Sequence, residues 1–155
     1  MDIFYEPHKL FLTKMIDAKV EFMLIGGYAV NYYGYNRPTG DMDLWLKPDN
    51  ANRDQFTKIL IDEDFEEEDI QVIKQANFSK PMIFHVGESP YRIDFMNFIA
   101  NVEYDEADAI KIKAEVDGII LPIIHYNDLI RTKEISTRLK DKADVEELKK
   151  IHGKR

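Results

Sequence analysis

The chain has no cysteine among its 155 residues, which excludes disulfides, thiolate metal sites and thiol catalysis. It also lacks any run of 18 apolar residues, so no membrane-spanning helix is expected. The N-terminal stretch MDIFYEPHKL carries charge where a secretory signal would be apolar, and a cytoplasmic location is the resulting expectation. Gly/Ser-rich linkers, low-complexity tracts and internal repeats are missing, so residues 1–155 read as a single domain. Positive charge is scarce: 21 Lys and Arg face 29 Asp and Glu, a formal net charge of −8. Such a surface repels phosphate backbones on average and argues against a general nucleic-acid binder, although a local basic patch stays open. Histidine is sparse too, and His8, His85, His125 and His152 show no metal-ligand spacing.

What remains is the composition of a globular protein, 45% hydrophobic and 32% charged. A chain of this length buries roughly 70% of its unfolded surface, enough for a core without staples.

Along the chain, Pro7 suits a helix first turn, with Phe11, Met15 and Ala18 on one face. Phe22 to Ile25 reads as a short buried strand that ends in Gly26-Gly27, with a short helix over Tyr28 to Tyr33. Asn36 to Gly40 is loop chemistry. Met42, Leu44 and Leu46 then alternate with Asp41, Asp43 and Trp45, the period of a strand. A helix is expected from about Ala51 to Asp62, after an acidic turn-forming run at Glu66 to Asp69 the strands Ile70 to Lys74, Met82 to Val86 and Tyr91 to Phe98, and then Ala109 to Val116 and Ile119 to Ile124. Asp117-Gly118 signals a type I′ hairpin between the last two. Helices over about 127 to 137 and 140 to 152 close the chain. The order implies a mixed α/β or α+β sheet of about five to six strands covered by helices.

The chemistry sits in GGYAVNYYGYNRPTGDMDLW, residues 26 to 45. Aspartate is depleted in strands, and two on one face cost repulsion and desolvation unless a cation neutralises them. Strand alternation aims Asp41 and Asp43 the same way. Hard oxygen ligands of this kind suit Mg²⁺, which completes its shell with water and substrate phosphates. Asp94, between Ile93 and Phe95 in an apolar strand, supplies a third carboxylate if that strand is a neighbour. Three such groups can hold two metals about 3.5–4 Å apart. Gly26 and Gly27 let backbone approach a phosphate closely, and a helix start favours anions. Arg37 adds a guanidinium that can grip phosphate bidentately.

Together these residues resemble the nucleotidyltransferase superfamily that shares the palm of DNA polymerase β. The matching pattern is an apolar strand, Gly26-Gly27, thirteen residues, then Asp41-Met42-Asp43-Leu44, with Asp94 in a later apolar strand. The subpattern Arg37, Thr39, Asp41, Asp43 is similar to bacterial abortive-infection toxin-type and antibiotic-modifying members. DLIRTKEISTRLKDKADVEEL is similar to the toxin-type group as well, through Lys133, Arg138, Lys140, Asp141 and Asp144. The resemblance spans about residues 22 to 150. It implies a polymerase β palm-like fold whose last two helices, about 127–152, form a C-terminal cap. It implies transfer of a nucleoside monophosphate from an NTP to an acceptor hydroxyl, with pyrophosphate released. Asp41, Asp43 and Asp94 would be catalytic and hold two Mg²⁺ ions, with Mn²⁺ as a substitute. Gly26, Gly27, Arg37, Thr39 and Lys133 would bind nucleotide.

A tRNA end, a protein or a small antibiotic are the acceptors such a family offers. A homodimer and an antitoxin partner are compatible with it, and so is a silent domain that binds nucleotide or a partner in a toxin–antitoxin pair.

Purely structural roles stand beside these. Asp41 and Asp43 can be edge residues, the glycines a tight turn, Arg37 a salt-bridge partner of Asp41, and Asp94 a partner of Arg92. Tyr28, Tyr32 and Tyr35 read as one packing stripe and Lys140 with Asp144 as a weak surface pair, while Trp45 reads as packing beside the carboxylates at the mouth of the site.

Overall fold

A computed structural model describes residues 5–63 and 65–153; the first four residues of the N-terminal stretch discussed above lie outside it. The elements run α1 (Glu6–Asp17), β1 (Phe22–Ile25), α2 (Gly26–Tyr32), β2 (Met42–Leu46), α3 (Asn50–Asp62), α4 (Glu67–Gln75), β3 (Ile83–Val86), β4 (Ile93–Met96), α5 (Tyr104–Ile110), β5 (Ile112–Val116), β6 (Ile119–Ile123), α6 (Tyr126–Glu134) and α7 (Leu139–His152). Among the described residues six strands form one mixed sheet in the order β3-β4-β2-β1-β6-β5. β2 pairs antiparallel with β1 and parallel with β4, so the Asp-bearing strand lies inside the sheet, not at an edge.

One face of the sheet packs on α1 and α3. Phe95 meets Phe56 at 4.9 Å, Phe84 at 5.1 Å and Phe11 at 6.0 Å between ring centroids. Leu44, Phe56 and Phe95 are fully buried there, each contributing roughly 1.5–3 kcal/mol relative to exposure. By strand alternation, Asp43, Trp45, Asp94 and Met96 take the opposite face. Trp45 is sealed on that face by Tyr104 of α5, the rings T-shaped at 5.2 Å. It is a core residue, 1% exposed, and not the mouth of a site.

The expected strand at Ile70 to Lys74 is instead helix α4. Ile70 and Ile73 are buried at helical spacing while Val72 is 68% exposed, which a strand's alternation would not give. The acidic run Glu67, Glu68 and Asp69 is its first turn, where negative charge is favoured by the helix dipole. The expected strand from Ala109 starts only at Ile112, because Tyr104 to Ile110 form α5 with Tyr104 and Ala107 turned inward. The expected strand Tyr91 to Phe98 is confined to Ile93–Met96. The hairpin at Asp117-Gly118 has φ of 51° and 84°, both left-handed, as a type I′ turn requires.

The tyrosine stripe does not form. Tyr28 is buried, Tyr32 is 39% exposed and α2 ends there; Tyr33 packs inward and its hydroxyl donates to the Ile124 carbonyl at 2.6 Å. Among the described residues no helix is long and apolar enough to cross a membrane.

Candidate active site

β2 and β4 run parallel with Asp43 directly beside Asp94 in the ladder. Registered neighbours on adjacent strands project to the same face, so the two carboxylates stand side by side. Asp41 lies one residue before β2 and joins them through Arg92. The Arg92 guanidinium contacts Asp94 at 2.8 and 3.1 Å and Asp41 at 3.2 Å. The Ser89 hydroxyl donates to the Asp41 carboxylate at 2.9–3.0 Å. Arg92 is thus the Asp94 partner anticipated by the structural reading, and it also reaches Asp41.

Among the described residues Asp43 has no such hydrogen-bond partner, and its pKa is pushed up to about 6. Burial is the main cause, followed by the charge of Asp94; Lys133 works in the opposite direction. A partly buried carboxylate beside two others is a cation-seeking arrangement. Burial first, and the charge of Asp41 second, also raise the pKa of Tyr28 from α2.

The glycines pack against this cluster. Gly26 has φ of +68°, and a Cβ placed on it would lie 2.1 Å from Asp43 Oδ2. A Cβ on Gly27 would lie 2.1 Å from Thr39 Oγ1 and 3.5 Å from an Arg37 terminal nitrogen. Glycine is therefore required for the β1–α2 turn to touch the carboxylates and the 36–40 loop.

Arg37 turns away from Asp41. Its Nε and Nη2 donate to both carboxylate oxygens of Asp144 in α7, at 2.6 and 2.9 Å. Lys133 Nζ of α6 reaches Asp144 at 2.9 Å and Asp141 at 3.0 Å, and Arg138 closes on Asp141 at 2.8 Å. Asp144 is fully buried, so it is no surface partner of Lys140. Burial works to raise the pKa of Asp144, but hydrogen bonds from Arg37 and Lys133 overcome it and leave the carboxyl below its usual value. Asp141 is held at about 2: burial again opposes, and bonds from Ser136, Arg138 and Lys133 prevail.

The eight residues expected to hold metal or nucleotide therefore fall in one region: Gly26 packs on Asp43 and Gly27 on Thr39, Arg37 reaches Lys133 through Asp144, Asp43 adjoins Asp94, and Arg92 links Asp94 to Asp41. Ser89 was missed, and so was the reach of Arg92 to Asp41; the pairing of Arg92 with Asp94 was expected, since it precedes Asp94 by two residues and strand alternation puts both on one face. Ser89 carries no such signal, because a turn brings it to Asp41. The histidines are structural where contacts exist: His125 caps α6, and His8 and His152 bond the carbonyls of Tyr91 and Tyr33.

Among the described residues no group of three His, Asp or Glu is posed as a metal cage. The donor types and convergence fit a hard divalent cation, yet Arg92 engages oxygens that such an ion would use. A cavity of about 470 Å³ lined by Trp45, Asn97 and Tyr104 is lined by none of the three carboxylates.

Among solved structures, the chain is similar to the crystal structure of the lincosamide antibiotic adenylyltransferase LnuA with lincomycin bound. The TM-score is 0.54 over 97% of this chain and 99% of that one. This chain has a nucleotidyltransferase fold. At 17% identity the likeness concerns fold alone. No protein-family model matches the chain. No curated protein matches it either.

Proposed function

We propose that the chain is a metal-dependent nucleotidyltransferase that moves a nucleoside monophosphate from an NTP to an acceptor hydroxyl. The observation that carries this reading is the Asp43–Asp94 register, with Gly26 pressed against the Asp43 carboxylate. Residues 1–155 would act as one domain whose last two helices cap the site through Lys133, Asp144 and Arg37.

In this reading Asp41, Asp43 and Asp94 hold two Mg²⁺ ions, or Mn²⁺ in their place, which supply neutralising charge to the triphosphate. Gly26 and Gly27 offer close backbone approach to its phosphates, with Thr39 beside them. The acceptor oxygen attacks the α-phosphorus and the bond to the bridging α–β oxygen breaks. Pyrophosphate leaves, and Asp94 takes the acceptor proton. Positioning and charge stabilisation do the rest, so no protein nucleophile is needed. Arg37 and Lys133 act by bracing the 36–40 loop against α6 and α7, since both are committed to Asp144.

For the acceptor, a small hydroxylated molecule draws more support than a tRNA end or a protein. The similar lincosamide adenylyltransferase spans the same length, and the net charge of −8 opposes an RNA footprint. The test is incubation with Mg²⁺ and each α-³²P-labelled NTP, offered a lincosamide panel, total RNA or a protein extract. Transfer of label to any of these, lost in Asp43→Asn, supports the proposal. Absence of label from every acceptor, or equal turnover by Asp43→Asn, refutes it.

A further inference from the structure

We propose that Arg92 is a built-in counter-ion that must leave the carboxylates before a divalent cation enters, and that it moves to the phosphates of the nucleotide. The inference rests on the nucleotidyl-transfer reading for the nature of its ligand.

One guanidinium spans two of the three carboxylates. Its Nε lies 2.8 Å from Asp94 Oδ1, and its Nη2 lies 3.1 Å from Asp94 Oδ2 and 3.2 Å from Asp41 Oδ2. These are lone pairs that a bound cation would need. A cation arriving alone therefore competes with a charge-assisted contact already in place, in which Nη2 donates to Asp94 while Nε lies close to its other oxygen without a hydrogen bond.

Exposure separates Arg92 from Arg37. Arg37 is 10% exposed at its side chain and is paired with the fully buried Asp144, so releasing it would strand a buried charge. The Arg92 side chain, one residue before β4, is 37% exposed. Its backbone carbonyl accepts from Met42 N at 2.9 Å, and that bond persists whichever way the side chain turns. Once free, the planar fork suits a phosphate as well as it suits a carboxylate. A nucleotide thus offers Arg92 a replacement partner as it leaves. The consequence is reciprocal coupling, in which nucleotide tightens metal binding and metal tightens nucleotide binding.

The experiment measures Mn²⁺ affinity of the full chain by electron paramagnetic resonance, with and without the non-transferable analogue α,β-methylene-ATP. Wild type should bind Mn²⁺ weakly alone and roughly tenfold tighter with the analogue. Arg92→Gln should bind Mn²⁺ alone roughly tenfold tighter than wild type and lose most of the nucleotide effect. Arg92→Lys keeps the charge but not the fork. It should stay weak for Mn²⁺ alone and also lose much of the coupling, a readout that survives if Arg92→Gln does not fold. Equal or weaker Mn²⁺ binding by Arg92→Gln, or undiminished coupling in Arg92→Lys, overturns the proposal and leaves the transfer reading standing. Absence of Mn²⁺ binding in every sample, nucleotide included, overturns both.

Discussion

Arg37 and Asp144 are 107 residues apart in the chain and meet in a two-pronged ion pair, Nε and Nη2 on the two carboxylate oxygens at 2.6 and 2.9 Å. The pair ties the loop before β2 to α7, and so fixes the entry of the Asp-bearing strand relative to the last two helices. Removing one partner leaves Arg37 and Lys133 without their shared buried countercharge. Asp144→Ala should cost about 3–5 kcal/mol in urea unfolding. A loss below about 1 kcal/mol would mean that water replaces the pair easily and that the loop is anchored elsewhere.

Asp43 responds to pH in the opposite sense from a salt-bridged carboxylate. Its folded pKa of about 6 lies above the ordinary 3.8, so the folded state holds the proton more tightly than the unfolded chain. Ionised Asp43 therefore destabilises the fold at neutral and higher pH, and the penalty fades as pH falls through about 6 toward 4. Asp43→Asn should raise stability by about 1–3 kcal/mol at pH 8 in the absence of metal and change it little at pH 4. Thermal melts at the two pH values check this; a variant that melts lower at pH 8 contradicts it. The same variant should lose nucleotide transfer.

Gly26 separates conformational strain from contact. Gly26→Ala places a Cβ in the left-handed region, at about 1–2 kcal/mol, and also against the Asp43 carboxylate. Gly118→Ala carries a similar φ of +84° with nothing within 4 Å of the added atom. Denaturant titration should show the larger loss at residue 26. Equal losses would indicate that the β1–α2 turn relaxes away from Asp43.

Much of this architecture was legible in the residues because the signals are local. The Phe22–Ile25 strand, the alternation at 41–46 and the Asp117-Gly118 hairpin depend on neighbours within a few positions. Ile70 to Lys74 misled because a short β-branched apolar run fits a strand or a helix equally; the packing of Ile70 and Ile73 decided for the helix. Trp45 looked like a site residue because strand period puts it on the face of Asp43. Only the placement of α5 shows that Tyr104 covers it.

The chain's own order of residues determined which groups are available: a glycine turn, two aspartates in step on a strand and a third in another apolar strand. Tertiary structure alone decided their partners. The parallel register set Asp94 beside Asp43, the turn at Ser89 gave Asp41 a hydrogen bond, Arg92 gave it a countercharge, and α7 withdrew Arg37 into a buried pair. Local spacing cannot encode these choices, since each depends on which strand or helix comes to lie against another, and that is settled by burial of the whole core.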